Sequence, residues 1–268
     1  MTSVLITGAA RGVGRGLAVA FASAGWDVAI TARELDGARA VHDEIRRSAL
    51  DVPERTMTGR TTAGLTTTGR TMAMAADVTV AGELETAIDR AAAEFGGLGA
   101  FVHNAVSRRS SEECVLETAT LELWEEHASV SLRGLWRGVR AAHRYLADSA
   151  GAVLVLTSPA GINGSANNGL YGAVKAGQRA FVRSLAREWG PEGIRVNGLA
   201  PLAMTEALRT TFEHDPAREA QLARIVPLGR FGDPVTDIGP AAIFLCGADA
   251  GYVTGQNLVV SGGRLTST

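Results

Sequence analysis

Short runs of apolar residues, many of them β-branched, alternate with longer alanine-rich stretches along most of the chain. The apolar runs predict strands at 3–7, 27–32, 71–78, 99–105, 151–158, 194–200 and 257–260. The stretches between them predict helices at 12–24, 34–49, 83–96, 118–148, 171–189 and 234–246. Strands that alternate with helices of this length form βαβ units, so the pattern predicts an α/β fold with helices on both faces of a parallel sheet. No strong linker divides the chain, and we interpret it as a single domain.

Residues 51–71 fit neither pattern. They read DVPERTMTGRTTAGLTTTGRT, carry TGRT twice and lack apolar anchors. A segment of this composition cannot bury enough apolar surface to offset the entropy of ordering its backbone. It lies at the edge of the sheet opposite the carboxyl ends of the strands, where α/β folds bind ligands. We predict a flexible surface insertion, with an interaction loop as the alternative.

Composition narrows the class of protein. Of the 268 residues, 46% are hydrophobic and 20% are charged, and the formal net charge is -2. These values predict no binding to nucleic acid or to an anionic membrane. Two distant cysteines, Cys114 and Cys246, predict reduced thiols, and the histidines have no metal-ligand spacing. The N-terminus has no signal-peptide pattern and no apolar run could span a bilayer, which predicts a cytoplasmic protein.

A glycine-rich turn follows the first predicted strand and opens the first predicted helix. It reads TGAARGVGRG at 7–16, with Gly8, Gly12 and Gly14 in a G-x-x-x-G-x-G spacing. Positions without side chains let backbone amides approach a dinucleotide, and the helix N-terminus then faces its pyrophosphate. The turn therefore predicts a dinucleotide site, the alternative being a purely structural turn.

The end of the second predicted strand bears on which dinucleotide is bound. It reads ITAR, with Ala32 where an acidic residue would bind the ribose 2′-hydroxyl of NAD, followed by Arg33. Arg11 lies inside the glycine turn and could add a second guanidinium to a 2′-phosphate. Two arginines and no acid favour NADP(H), unless both are ordinary surface residues of an arginine-rich chain.

Tyr171 and Lys175 stand one helical turn apart in YGAVK, and Lys175 is the only lysine of the chain. A tyrosine hydroxyl has a pKa of about 10 and is a poor base at neutral pH. A neighbouring ammonium favours the phenolate and lowers that pKa, and its three N–H donors can also hold ribose hydroxyls. Taken alone, however, such a pair is usually an exposed helix face.

Ser158 adds to the candidate chemistry. It ends the strand predicted at 151–158, and α/β folds build their ligand sites at the carboxyl ends of strands. A hydroxyl at that place can hydrogen-bond a substrate oxygen as charge develops on it.

These motifs together resemble the short-chain dehydrogenase/reductase family. The resemblance is carried by the glycine turn, HNA at 103–105, Ser158, and Tyr171 with Lys175, in that order and at matching intervals. The stretches GIRVNGLAP and YVTGQNLVVSGG also resemble the closing strands of that family. The likeness covers residues 3–263, apart from the insertion. It implies a Rossmann-type, doubly wound parallel sheet of about seven strands and a nicotinamide cofactor.

The resemblance also implies roles for individual residues. Tyr171 would be the general acid/base, Ser158 would steady the substrate oxygen, and Lys175 would hold the nicotinamide ribose and lower the tyrosine pKa. The implied cofactor site comprises Gly8, Arg11, Gly12, Val13, Gly14, Arg33, Asp77, Val78, Asn104, Ala105, Tyr171, Lys175, Pro201 and Thr205. Within it, Asp77 and Val78 would contact the adenine, and Asn104 and Ala105 would line a ribose.

The chain departs from the family pattern at three places. Ser131 replaces the catalytic asparagine, whose backbone carbonyl holds a water that links the lysine to solvent. Because a serine offers the same carbonyl, we expect a working relay, with slowed or repurposed chemistry as the alternative. Val106 adds bulk where the family has glycine. Leu202 replaces another glycine ahead of Thr205, the predicted contact of the nicotinamide carboxamide.

We interpret the chain as an NADP(H)-dependent oxidoreductase that interconverts a ketone and a secondary alcohol. Two alternatives remain. One is a related enzyme with atypical chemistry, such as dehydrogenation of a ring alcohol or a cofactor-assisted step without net redox change. The other is a catalytically silent NADP(H)-binding protein.

A mobile substrate lid is predicted at 202–226. Its apolar faces indicate a small, apolar carbonyl or alcohol substrate, although the same residues could simply pack helix against sheet. The resemblance implies a homodimer or homotetramer assembled through the two long helices, 118–148 and 171–189.

Overall fold

The computed structural model describes residues 2–50, 68–215, 217, 221–222 and 224–266. Its strands are β1 (Ser3–Ile6), β2 (Asp27–Ala32), β3 (Thr71–Ala75), β4 (Ala100–His103), β5 (Ala152–Leu156), β6 (Arg195–Pro201) and β7 (Asn257–Val260). Its helices are α1 (Gly12–Ser23), α2 (Leu35–Leu50), α3 (Glu83–Phe95), α4 (Leu121–Ala128), α5 (Gly134–Ser149), α6 (Ala160–Asn163), α7 (Gly169–Trp189), α8 (Glu206–Glu213) and α9 (Gly239–Cys246).

All seven strands belong to one parallel sheet in the order β3-β2-β1-β4-β5-β6-β7. This confirms the predicted Rossmann-type α/β fold. The chain moves outward from β1 to β3 and then returns to place β4 on the other side of β1. The order therefore reverses between β1 and β4, which is where open α/β sheets bind ligands.

The core has two layers because successive side chains of each strand point to opposite faces of the sheet. In β5, Val153 and Val155 face the layer formed with α3, α5 and α7, whereas Leu154 and Leu156 face the layer formed with α1, α2 and α9. Burial on both faces explains why the strands read as nearly continuous apolar runs rather than as alternating ones.

The long helix predicted at 118–148 is not continuous. α4 and α5 are joined by one π turn, Ser129–Arg133, in which the N–H of Gly134 donates to the carbonyl of Ser129. A second π turn, Pro234–Ile238, precedes α9. π turns insert one extra residue into a helix and shift the side chains that follow, often at functional sites.

The predicted insertion at 51–71 falls mostly on residues 51–67, which lie outside the described residues. Its end belongs to the sheet instead: the carbonyl of Arg70 accepts from the N–H of Val28 at 2.8 Å, and Thr71 begins β3. The guanidinium of Arg70 also pairs with the carboxylate of Asp27 at 2.6 Å. Arg70 and Thr71 therefore belong to the sheet and not to the predicted insertion.

Within the described ranges, no helix combines the length and apolar character that a membrane crossing requires. Nor do those residues include a group of three or more His, Cys, Asp and Glu side chains arranged to hold a metal ion.

Phe101 tests the packing of the core layer formed with α3, α5 and α7. Its side chain is fully buried in β4, and α5 passes so close that a Cβ on Gly138 would lie 2.3 Å from the ring. We expect Phe101→Ala to lower the free energy of unfolding by about 3–5 kcal/mol, through lost burial and the cavity left behind. Urea denaturation measures this. Tyr252→Ala, at a fully exposed ring, is the control and should change stability by less than about 0.5 kcal/mol; equal losses would contradict the packing described.

Candidate active site

The ends of β1 and β4 are locked together by hydrogen bonds. The fully buried hydroxyl of Thr7 accepts from the backbone N–H groups of Asn104 and Ala105 at 3.0 and 3.1 Å. The amide of Asn104 donates to the carbonyls of Thr7 and Gly8 at 3.0 and 2.9 Å. Sequence reasoning missed Thr7. The side-chain N–H groups of Asn104 hold the turn, and its place beside a cofactor ribose stays a prediction.

The glycine turn has the geometry that its composition predicts. Gly8 and Gly12 have φ values of 64° and 57°, in the left-handed region that favours glycine. A Cβ on Gly14 would lie 2.4 Å from Nδ2 of Asn104 and 2.6 Å from the carbonyl oxygen of Gly8. The turn is therefore a cradle of backbone with no room for a side chain at Gly14.

The N-terminus of α1 already binds an anionic group. The N–H of Gly12 donates to the carboxylate of Glu206 at 3.1 Å, and Arg15 lies 3.5 Å from the same carboxylate. Glu206 begins α8, and the hydroxyl of Thr205 caps that helix by accepting from the N–H of Leu208 at 3.3 Å. A helix N-terminus that accepts a carboxylate fits the pyrophosphate of a dinucleotide, so the residues present suit the predicted cofactor.

Arg11 and Arg33 lie on neighbouring turns. The N–H of Ala9 donates to the carbonyl of Thr31 at 2.9 Å, which joins the turn after β1 to the end of β2. Both arginines are exposed, and within the described ranges neither guanidinium has a hydrogen-bond or ion-pair partner. They are therefore available to an anionic ligand at this edge.

The remaining predicted cofactor residues lie at the same edge of the sheet. Asp77 follows β3, and its carboxylate accepts from the N–H and the hydroxyl of Thr79 at 2.8 and 2.7 Å. Val78 is buried in the core layer formed with α3, α5 and α7. Val13 lies in the first turn of α1 and Pro201 ends β6.

The predicted catalytic residues lie beyond the carboxyl end of β5, where the following loop brings Ser158 close to Tyr171 of α7. The Ser158 hydroxyl accepts from the N–H of Ala160 at 3.2 Å and lies close enough to the Tyr171 hydroxyl to lower the pKa of the phenol. The loop can lie this close to α7 because it carries Gly161, where a Cβ would be 2.6 Å from the backbone of Lys175. The structure therefore brings together the serine, tyrosine and lysine that the sequence predicted.

Burial raises the pKa of Tyr171 above its ordinary value, and Ser158 lowers it without offsetting burial, because removing a phenolate from water is costly. Lys175 lies beside the ring, with Nζ 5.7 Å from its centre. A lowered pKa would need the charge of an oxidised nicotinamide as well as that of the lysine, so the lowering stays a prediction. His127 of α4 lies on the same ring, 6.4 Å between ring centres, and sequence reasoning did not place it there.

Lys175 is 3% exposed. Its ammonium donates to the carbonyl of Leu156 at 2.6 Å and to Oε1 of Gln178 at 3.0 Å. Burial lowers the pKa of Lys175 to about 7. The lysine is thus held by neutral oxygens, which stabilise an ammonium less than water does.

Ser131 lies in the π turn and is fully buried. Its carbonyl accepts from Nε2 of Gln178 at 2.9 Å, and its hydroxyl has no hydrogen-bond partner within the described residues. The carbonyl that was predicted to hold a water therefore binds the Gln178 amide. His103 is also buried near Lys175 and Ser131, and burial first, then Lys175, lowers its pKa to about 3.

Comparison with known proteins identifies the chain. The family model described as enoyl-(acyl carrier protein) reductase matches residues 8–264. The 3-oxoacyl-[acyl-carrier-protein] reductase FabG of Staphylococcus aureus is 33% identical over 267 residues, which cover 97% of each chain. The chain belongs to the short-chain dehydrogenase/reductase family.

Two further relatives extend this likeness. A 12alpha-hydroxysteroid dehydrogenase of a Clostridium species is 30% identical over 96% of this chain and 93% of its own. The crystal structure of a 3-ketoacyl-(acyl-carrier-protein) reductase from Brucella melitensis, complexed with NADH, superposes with a TM-score of 0.81 at 27% identity and covers 98% of each chain. This short-chain dehydrogenase/reductase is accordingly an NAD(P)-dependent oxidoreductase that uses a nicotinamide cofactor.

Gly14 tests the cofactor cradle of this enzyme. A methyl group at Gly14 meets Asn104 and the Gly8 carbonyl, so Gly14→Ala should displace the turn and weaken NADPH binding at least about tenfold. Quenching of protein fluorescence by NADPH measures the Kd. Gly190→Ala is the control, because a Cβ there meets nothing within 4 Å. An unchanged Kd in Gly14→Ala would show that the turn does not hold the cofactor.

Proposed function

We propose that the enzyme is an NADP(H)-dependent ketoreductase in which Tyr171 is the general acid/base. The observation that carries the proposal is the meeting of Ser158, Tyr171 and a buried lysine at the carboxyl end of β5. The similarity to 3-oxoacyl reductases and a hydroxysteroid dehydrogenase supports a carbonyl or secondary alcohol as the reacting group.

The raised pKa of Tyr171 means that the phenol is protonated at neutral pH, as carbonyl reduction requires of a proton donor. Oxidation of an alcohol would need the phenolate, which the positive charge of an oxidised nicotinamide would help to form.

In this mechanism the hydroxyls of Ser158 and Tyr171 both donate to the carbonyl oxygen and polarise it. A reduced nicotinamide, when bound, would supply the hydride for the carbonyl carbon. Tyr171 transfers its proton to the oxygen as the carbon–oxygen double bond becomes single, and it regains a proton from solvent. Lys175 lies beside the ring and holds the ribose of the cofactor.

We place the 2′-phosphate of NADP at Arg11 and Arg33, since both guanidiniums are exposed and unpaired within the described part of the chain. The backbone cradle of Gly8, Gly12 and Gly14 would bind the pyrophosphate. The Brucella relative was solved with NADH, so the preference for NADP rests on the two arginines.

The remaining assignments are also proposals. The substrate is a small carbonyl compound or alcohol, taken under the lid at 202–226, and the protein is cytoplasmic. Assembly as a homodimer or homotetramer through α4, α5 and α7 is supported by exposed apolar side chains on the first two of these helices. They are Leu121 at 74% and Trp136 at 43% exposure.

Tyr171→Phe tests the chemistry. Removing the only proton donor of the mechanism should lower kcat for NADPH-dependent ketone reduction by about 10²–10⁴-fold while leaving the Kd for NADPH within a few-fold. The assay follows NADPH absorbance with a panel of ketones. Tyr252→Phe makes the same change at an exposed ring and should keep full activity. Full activity in Tyr171→Phe would refute the mechanism, and tight NADPH binding without turnover of any carbonyl by the wild type would favour a silent binding protein.

Arg33→Asp tests the choice of cofactor. An acid at this position repels a 2′-phosphate and can bind a 2′-hydroxyl, so the ratio of kcat/KM for NADPH to that for NADH should fall at least about tenfold. Arg46→Asp, the same charge reversal at an exposed residue of α2, is the control and should leave the ratio unchanged. A constant ratio in both variants would remove Arg33 from the site.

A further inference from the structure

Gln178 links the candidate lysine to the π turn. Its side chain is fully buried on α7, three residues after Lys175. Oε1 accepts from the Lys175 ammonium at 3.0 Å, and Nε2 donates to the carbonyl of Ser131 at 2.9 Å. One amide thus joins the lysine to the backbone between α4 and α5.

The chemistry of the two partners determines how the amide is oriented. An ammonium only donates hydrogen bonds and a carbonyl only accepts them, so Oε1 must face Lys175 and Nε2 must face Ser131. Rotating the amide by half a turn would place a donor against a donor and an acceptor against an acceptor. Gln178 is therefore held in one orientation at both ends.

The link matters because Lys175 has few other stabilising contacts. Its remaining hydrogen bond goes to the carbonyl of Leu156 at the end of β5. A buried polar group without a partner costs about 1–3 kcal/mol, and more if it is charged. Loss of the amide would leave both the ammonium and the Ser131 carbonyl short of a partner.

We propose that Gln178 is a positioning residue of this enzyme, whose amide ties the Lys175 ammonium to the π turn and holds it beside Tyr171. The role in turnover rests on the proposed function, but the control of Lys175 by Gln178 does not. The signal was present in the sequence as a glutamine on the buried face of α7, where the neighbouring turns carry Val174 and Val182.

The groups that face Lys175 define what a titration will report. On its own helix the titratable neighbour is Tyr171, and from β4 it is His103, whose pKa is about 3 and which is neutral at working pH. His127 of α4 packs near the Tyr171 ring and not against Lys175 itself. Burial lowers the pKa of His127. Within the described residues the pKa of Lys175, about 7, reflects burial alone.

Two substitutions should move the pKa of Lys175 in opposite directions. Gln178→Leu removes an acceptor that stabilises the ammonium, so the pKa should fall. Gln178→Glu places a carboxylate against the ammonium, so the pKa should rise, by at least about one unit. A residue that only fills space would not produce this change of sign.

Since Lys175 is the only lysine of the chain, it can be observed directly. Protein labelled with 13C and 15N in lysine gives one side-chain signal, whose pH titration reports the pKa of Lys175 without further assignment. The experiment compares the full-length wild type with Gln178→Leu, Gln178→Glu and the control Gln256→Leu. The control makes the same change at an exposed glutamine and should titrate as the wild type does. If Gln178→Leu does not fold, Gln178→Met replaces it.

A matching kinetic readout connects Gln178 to turnover. The basic limb of kcat/KM against pH for ketone reduction should move with the pKa of Lys175, downward in Gln178→Leu and upward in Gln178→Glu. The Leu variant should also lose at least about tenfold in kcat, because a lysine displaced by less than an ångström orients the ribose poorly.

The outcomes separate this proposal from the proposed function. If the lysine signal titrates identically in the wild type and both Gln178 variants, Gln178 does not control Lys175 and the proposal is wrong, whatever the activity. If the pKa values shift but kinetics stay constant, the positioning role in turnover is wrong. If no variant, including the wild type, reduces a ketone while the pKa values shift as expected, the proposed function fails and the control of Lys175 stands.

Discussion

A single ammonium buried among neutral oxygens constrains the site more than any other group. Lys175 is packed where the end of β5, the helix α7 and the π turn meet, and it is held by a strand carbonyl and a glutamine amide. Burying a charge in this way is costly, which is why the pKa of Lys175 falls to about 7. The compact ammonium suits the place because its three donors can point in separate directions, whereas a guanidinium is larger and planar. The cost is consistent with a role for the lysine in ligand binding and not in stability.

Burial shifts the pKa values of Tyr171 and Lys175 in opposite directions, and both shifts favour the neutral side chain. The pKa of the tyrosine is raised and that of the lysine is lowered, so both side chains are driven toward their neutral forms. Ser158 opposes the effect of burial on Tyr171 without offsetting it.

At the predicted cofactor site, buried polar side chains also form hydrogen bonds to the backbone. The side chains of Thr7 and Asn104 hydrogen-bond within the junction of β1 and β4 and so hold the glycine turn in place. Glu206 reaches that turn from α8 and satisfies one of the free amides. Because helix N-termini bind anions in general, the contact couples the segment after β6 to the place where a pyrophosphate would bind. A pyrophosphate bound there would compete with Glu206 for the N–H of Gly12.

The sequence alone determined the element order, the parallel sheet, and the serine, tyrosine and lysine of the site. These follow from local patterns: apolar runs, a glycine turn after a strand, and a helical spacing of four. β2, for example, was predicted to the residue, at Asp27–Ala32, from its run DVAITA. Only the tertiary structure decided the order of the strands, the π turn at Ser131, and the partners of Lys175. Gln178, Thr7 and Glu206 meet their partners from 47, 97 and 194 positions away in the chain. Such contacts depend on how distant elements pack, and no local pattern of residues records that.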